Sequence, residues 1–265
     1  MKILTASVSS LLFSSLSNAA MVSYDFDGQQ SGDLFSGGVS GWSQDSANPS
    51  AFGTTFPLGY IGSVNFTGAT SNGGYLGTYQ ANTADNSSTT LSGSLAGAGQ
   101  IPGRSVGFNV AILDNANDSF TTRDAFGVDV TNSSGASVAR IDFSPNASNE
   151  SAWDVAIGVN GGSTVTTAYS LTQGSGYELA IQFAAEETRF LHRASSGGNL
   201  IGLGTLDRVL GDFGDFQVSH SPQGFAGTSA NALAFDNIAT VVPEPSSSLL
   251  AVLGLSSLML RRKRK

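Results

Sequence analysis

The 265-residue chain has no cysteine, only two histidines, seven prolines and 12% charged residues. Without cysteine there is no disulfide framework, no thiolate metal site and no cysteine nucleophile. Two histidines leave little for imidazole chemistry. Between Met21 and Val242 there is no lysine either. Six arginines face nineteen acids there, a formal charge of −13. Such a surface repels DNA, RNA and anionic lipid, which excludes a nucleic-acid partner, and it favours solubility or divalent cations. A sustained 3.6-residue apolar period is also missing from the body, so no helices are expected to cover a parallel sheet.

What is there is alternation. Val106, Phe108, Val110 and Ile112 alternate with small or polar residues, as do Phe126, Val128 and Val130. Ala139, Ile141 and Phe143 are opposed by Arg140 and Asp142. Trp153, Val155, Ile157 and Val159 follow, then Leu179, Ile181 and Phe183, and a further strand is expected over Thr188–Arg193. Period two with one wet face predicts half-buried strands. Turn signals separate them at Asn132-Ser133-Ser134-Gly135, Asn160-Gly161-Gly162 and Ser195–Asn199. Gln29–Thr55 is irregular, rich in Gly, Ser and Asn, and reads as long loops. The class is all-β, an antiparallel β-sandwich in a single domain over 21–242.

Both ends carry addresses. Met1-Lys2, a moderately apolar Ile3–Leu16 and the small residues Ser17-Asn18-Ala19 form a secretory signal peptide over 1–20, cut by signal peptidase after Ala19 or Ala20. At the other end Pro243-Glu244-Pro245 precedes an apolar run led in by Ser246–Ser248. The chain then closes on Arg261, Arg262, Lys263, Arg264 and Lys265. An apolar helix over 246–260 is shorter than the ~20 residues that cross a bilayer comfortably. The terminal cations would stay on the cytoplasmic side, placing the body outside. This tail, 243–265, resembles the PEP-CTERM sorting signal. The resemblance implies export by a Gram-negative, biofilm-forming bacterium and transient anchoring in the inner membrane. It further implies processing by an exosortase, with a final place at the cell envelope, the surface or the extracellular matrix.

Tyr24-Asp25-Phe26-Asp27-Gly28 opens the body and Leu233–Ala239, with its Phe-Asp-Asn-Ile, closes it. The Trp153–Thr167 hairpin and Gly176–Ile181 lie between. Together they resemble the concanavalin A-like/laminin G jelly-roll domains. That resemblance implies paired terminal strands, and with them a calcium site where Asp25, Asp27 and Asp236 meet. Hard cations take six to eight oxygens from such acidic turns. Asp114, Asn115, Asn117 and Asp118 form a second acidic loop, and all these acids serve equally well as turn formers. Trp42, Phe52, Phe56, Tyr60, Tyr75 and Tyr79 cluster in the loop-rich first part. They can stack on pyranose rings of an exopolysaccharide, with Trp42, Tyr60, Tyr75 and Tyr79 as the sugar-contact candidates, or form a satellite core under the loops.

Catalysis has no positive signal. Gly103-Arg104-Ser105-Val106-Gly107 matches G-x-S-x-G, but a turn precedes the serine and a strand follows it, where a nucleophile elbow needs strand then helix. No Glu-x-Asp-x-x-Glu run is present, and the adjacent Glu186 and Glu187 would point to opposite faces of a strand. The expectation is a non-catalytic exported sandwich, with a calcium-assisted carbohydrate-binding module as the alternative.

Overall fold

The computed structural model describes residues 20–30, 39–44, 59–66, 70–78, 88–114, 123–194, 197–221 and 231–241. The signal peptide through residue 19, Phe52, Phe56, Tyr79, the loop residues Asn115, Asn117 and Asp118, and the whole sorting tail lie outside the described residues.

Among the described residues there are fifteen strands. They are β1 (Ala20–Tyr24), β2 (Trp42–Gln44), β3 (Gly59–Asn65), β4 (Thr70–Thr78), β5 (Thr89–Ser94), β6 (Arg104–Asp114), β7 (Ala125–Asn132) and β8 (Ser137–Pro145). The chain continues through β9 (Ala152–Val159), β10 (Val165–Thr172), β11 (Gly176–Phe183), β12 (Glu187–Ala194), β13 (Ile201–Asp207), β14 (Phe213–Ser221) and β15 (Asn231–Val241). Among the described residues no helix is long and apolar enough to cross a membrane. All pairings are antiparallel and fall into two sheets. One is ordered β13-β12-β11-β6-β15-β4-β3, with β1 also on β15; the other is ordered β10-β9-β8-β7-β14-β5-β2.

The alternating residues do what their period demands. Val106, Phe108, Val110 and Ile112 of one sheet meet Phe126, Val128, Val130, Ile141, Phe143, Trp153 and Val155 of the other in one buried core. The Asn160-Gly161 turn takes left-handed backbone at both residues, φ +55° and +66°, and is closed by the Gly162 N–H on Val159 O at 3.0 Å within a longer β9–β10 connection. The chain ends pair as expected: Tyr24 opposes Ile238, Ser23 opposes Ala239 and Ala20 opposes Val241.

The aromatic first part departs from the loop reading. Tyr60 and Tyr75 sit in β3 and β4, where they are register partners. Glycine hides the alternation there, and β4 needs it. A Cβ on Gly77 would lie 2.2 Å from the carbonyl oxygen of Asn231 on β15. Ser105 lies within β6, buried and paired with Gln182 and Val241, so it begins a strand and stands on no elbow.

Candidate functional site

The seven-stranded sheet buries one face in the core and turns the other outward. Its register sets out two polar rows. In the first, Ser43 of β2 opposes Ser92 of β5, Ser92 opposes Gln217 of β14, and Gln217 opposes Asp129 of β7. Asp129 in turn opposes Arg140 of β8, and Arg140 opposes Gly158 of β9. The second row runs Thr90, Ser219, Gly127, Asp142, Ala156 and Thr166. Nothing apolar in either row is larger than Ala156. A half-buried antiparallel sheet puts polar side chains on its wet face, but this one adds a floor of small residues between planar carboxylate, amide and guanidinium groups.

Gly127 marks the middle of that floor. A Cβ there would lie 2.8 Å from Ser219 Oγ and 3.0 Å from Asp142 Oδ1, so both side chains close over bare backbone. Beside it, Arg140 Nε donates to Asp142 Oδ1 at 2.6 Å, with the arginine half exposed. Asp129 Oδ1 accepts the Ser137 hydroxyl at 2.8 Å. Burial pushes the Asp129 carboxyl up to about 6. The Ser137 hydrogen bond and the Arg140 charge oppose that shift, and the Asp142 charge adds to it. Near the β10 edge, Asp154 Oδ1 accepts from Asn146 Nδ2 at 2.6 Å and Ser170 Oγ at 2.8 Å. The face thus presents fixed acceptors and one exposed, already paired guanidinium.

The residues expected to contact sugar are placed otherwise. Trp42 is 7% exposed and packs its ring against Tyr24, Phe26, Phe216 and Phe235, with centroids 5.4 to 6.5 Å apart. Gly93 makes its room, since a Cβ there would meet the indole at 2.6 Å. Trp42 is therefore core and presents no face to a pyranose. Tyr75 is 6% exposed, donates its hydroxyl to Ser63 O at 2.6 Å, and covers Ala111, Ala232, Ala234 and Phe66. It belongs to the satellite core. Tyr60 is its register partner, and Tyr79 lies outside the described residues.

Asp25 and Asp27 lie near Asp236 without converging on one point with it. Asp236 is buried, 1% exposed, and its Oδ1 accepts the Phe26 N–H at 3.4 Å while Oδ2 accepts Asn237 Nδ2 at 3.2 Å. Asp27 Oδ1 accepts the Asn72 N–H at 2.9 Å, and Asp25 Oδ1 the Asp27 N–H at 2.8 Å. Burial pushes Asp236 up to about 6; the hydrogen bonds from Asn237 and Phe26 pull it back, and the charges of Asp25 and Asp27 push it further. Among the described residues, however, no three carboxylates or imidazoles converge closely enough to hold a metal ion. Each acid has an oxygen committed to an amide N–H. As placed, the cluster latches the first strand to the last and does not form a carboxylate-built calcium sphere.

Sequence reasoning also passed over a buried polar cluster under one end of the sandwich. His220 Nε2 lies 2.9 Å from Asp124 Oδ2, with the two side chains 0% and 1% exposed. The Arg123 guanidinium stacks 3.6 Å over the Trp153 ring, and Trp153 Nε1 donates to Asp124 O at 3.0 Å. Its signal in the sequence was an Arg-Asp pair leading directly into an alternating strand.

No family model matches the chain, and no curated protein sequence matches it either. Solved structures do match. The CBM2 module of the evolved Dit of Lactobacillus casei BL23 phage J-1 superposes with a TM-score of 0.53 at 15% identity, over 84% of this chain and 95% of that one. LamA from Z. galactanivorans, in complex with laminaritriose and laminaritetraose, gives 0.51 at 10% identity, over 84% and 99%. At such identities the likeness is one of fold: this chain is an all-β, two-sheet antiparallel sandwich of the jelly-roll kind.

Proposed function

We propose that this is an exported, non-catalytic sandwich of the cell surface or extracellular matrix, and that it holds exopolysaccharide on the outward face of its seven-stranded sheet. The observation that carries this reading is the Asp129–Arg140–Asp142 group on the outward face of the sheet. Sugar hydroxyls are both donors and acceptors, and planar carboxylates, amides and guanidinium groups meet them in pairs. Two sandwiches of this fold lend support, one a CBM2 module and the other holding laminaritriose and laminaritetraose.

Retention of the whole protein on the host's own extracellular polysaccharide tests it. Asp142→Ala and Arg140→Ala are each expected to weaken retention about tenfold or more, the worth of one charge-assisted hydrogen bond. Retention unchanged in both variants would refute the assignment of this face. Turnover of the polysaccharide would refute the non-catalytic reading.

Export follows from the two ends. Signal peptidase removes 1–20 and the tail holds the body briefly at the inner membrane until an exosortase cuts near Pro243-Glu244-Pro245. With Glu244→Ala the protein is expected to stay in the inner membrane fraction. Normal release of that variant would sink the sorting assignment.

A further inference from the structure

The two buried histidines have opposite surroundings. His220 faces a carboxylate. His192, on the inner face of β12 and 2% exposed, faces phenols: its ring lies 3.6 Å from that of Tyr169, on β10 of the opposite sheet. Tyr177 of β11 meets Tyr169 edge-on at 6.3 Å and accepts the Thr172 N–H at 2.9 Å. His192 Nδ1 has no hydrogen-bond partner among the described residues. The stack thus bridges the side of the sandwich where both sheets end, at edge strands β10 and β13. A cleft of about 470 Å³ lies on the same side at the far end of these strands, lined by Val159 and Val165 and by Glu186, Glu187, Leu206 and Asp207.

We propose that His192 is an acid-sensitive latch: neutral, it clasps β10 to β12 through Tyr169, and protonated, it releases that side of the sandwich. A charged imidazolium at this place has an unsatisfied N–H and, among the described residues, no counter-ion, a costly state inside a protein. The titratable groups packed about it do not compensate. β10 offers Tyr169 and β11 offers Tyr177, both neutral. Glu178 turns to the outer face, where Arg193 holds it at 2.6 Å. Arg189 is likewise on the outer face and pairs with Glu187. β13 places Ile201 opposite His192, and its Asp207 lies at the far end, opposite Glu187. Burial accordingly holds the imidazole below its usual range. With the folded value depressed, the latch is fully closed above the ordinary imidazole range of about 6.5 and weakens as pH falls below it.

The absence of cysteine makes opening measurable. Leu171→Cys places a thiol on the inner face of β10, and Leu91→Cys places one on β5; both parent residues are fully buried. In the whole protein, thiol-labelling rates are taken between about pH 7.5 and about pH 5 and divided by those of a free thiol. The β10 thiol is expected to become more reactive by up to ~tenfold per pH unit below the imidazole range, and the β5 thiol to stay protected. Adding His192→Phe, which keeps an aromatic stack, or His192→Gln should abolish the acid response of the β10 thiol. An equal acid response of both thiols, or one that persists in both His192 variants, would overturn the latch.

Discussion

Asp124→Ala is expected to cost about 3–5 kcal/mol of folding stability, the scale for breaking a buried pair by removing one partner. The variant strips His220 of the carboxylate 2.9 Å from its Nε2, inside a site where both side chains are fully buried. Since a domain has only about 5–15 kcal/mol in hand, chemical denaturation should show the midpoint fall by about a fifth or more. Asp124→Asn keeps an acceptor toward His220 and should lose about 1–3 kcal/mol. If alanine and asparagine prove equally mild, the cluster is mere filling at the end of the core. The Trp153 indole, which bonds Asp124 O and lies under Arg123, should report the change as altered fluorescence even before global unfolding.

The second large effect is on pH dependence. Asp236 and Asp129 both rise from the ordinary 3.8 to about 6, chiefly through burial. Between those values the folded protein binds protons that the unfolded chain has released, so stability falls as pH climbs from about 4 to about 6. The buried Asp236 accounts for a loss on the order of 2–3 kcal/mol, and the partly exposed Asp129 for about 1 kcal/mol. Asp236→Asn should remove the larger share of this slope and leave the protein more stable than the parent at neutral pH. Because amide N–H groups hold the Asp236 oxygens, the slope should be the same in calcium and in EDTA. Identical slopes for parent and Asp236→Asn would show that Asp236 titrates normally.

Much of the chain after Arg104 was readable because its strands alternate: β6, β7, β8, β9 and β11 follow from Val106, Phe126, Ile141, Val155 and Ile181 and their period-two neighbours, while β13 and β14 went unread. The part before Arg104 was not. In β3 and β4, glycines occupy positions where side chains would have shown the period; at Gly77 the reason is that β15 passes too close for a Cβ. Trp42 misled for a related reason. Local sequence shows Gly41 and Ser43 beside it, and only the fold shows that Gly93 opens a slot in the core. The polar face was half visible, since Arg140 and Asp142 marked the wet side of β8. Gln217 joins Asp129 across the β7–β14 ladder, and a lateral neighbour so distant in sequence leaves no trace in local periodicity.

The pairing of β1 with the end of β15 also sets how the protein bears force. β15 lies inside its sheet, hydrogen-bonded to β6 along most of its length and to β4 and β1 on the other side. A pull applied at Val241 therefore does not peel an outer strand. It loads two ladders in shear, whose bonds must yield together, while the N-terminal strand lies against the very segment under tension. A sandwich tethered at that point would hang from its most firmly held strand, with β10 and β13 at the free side.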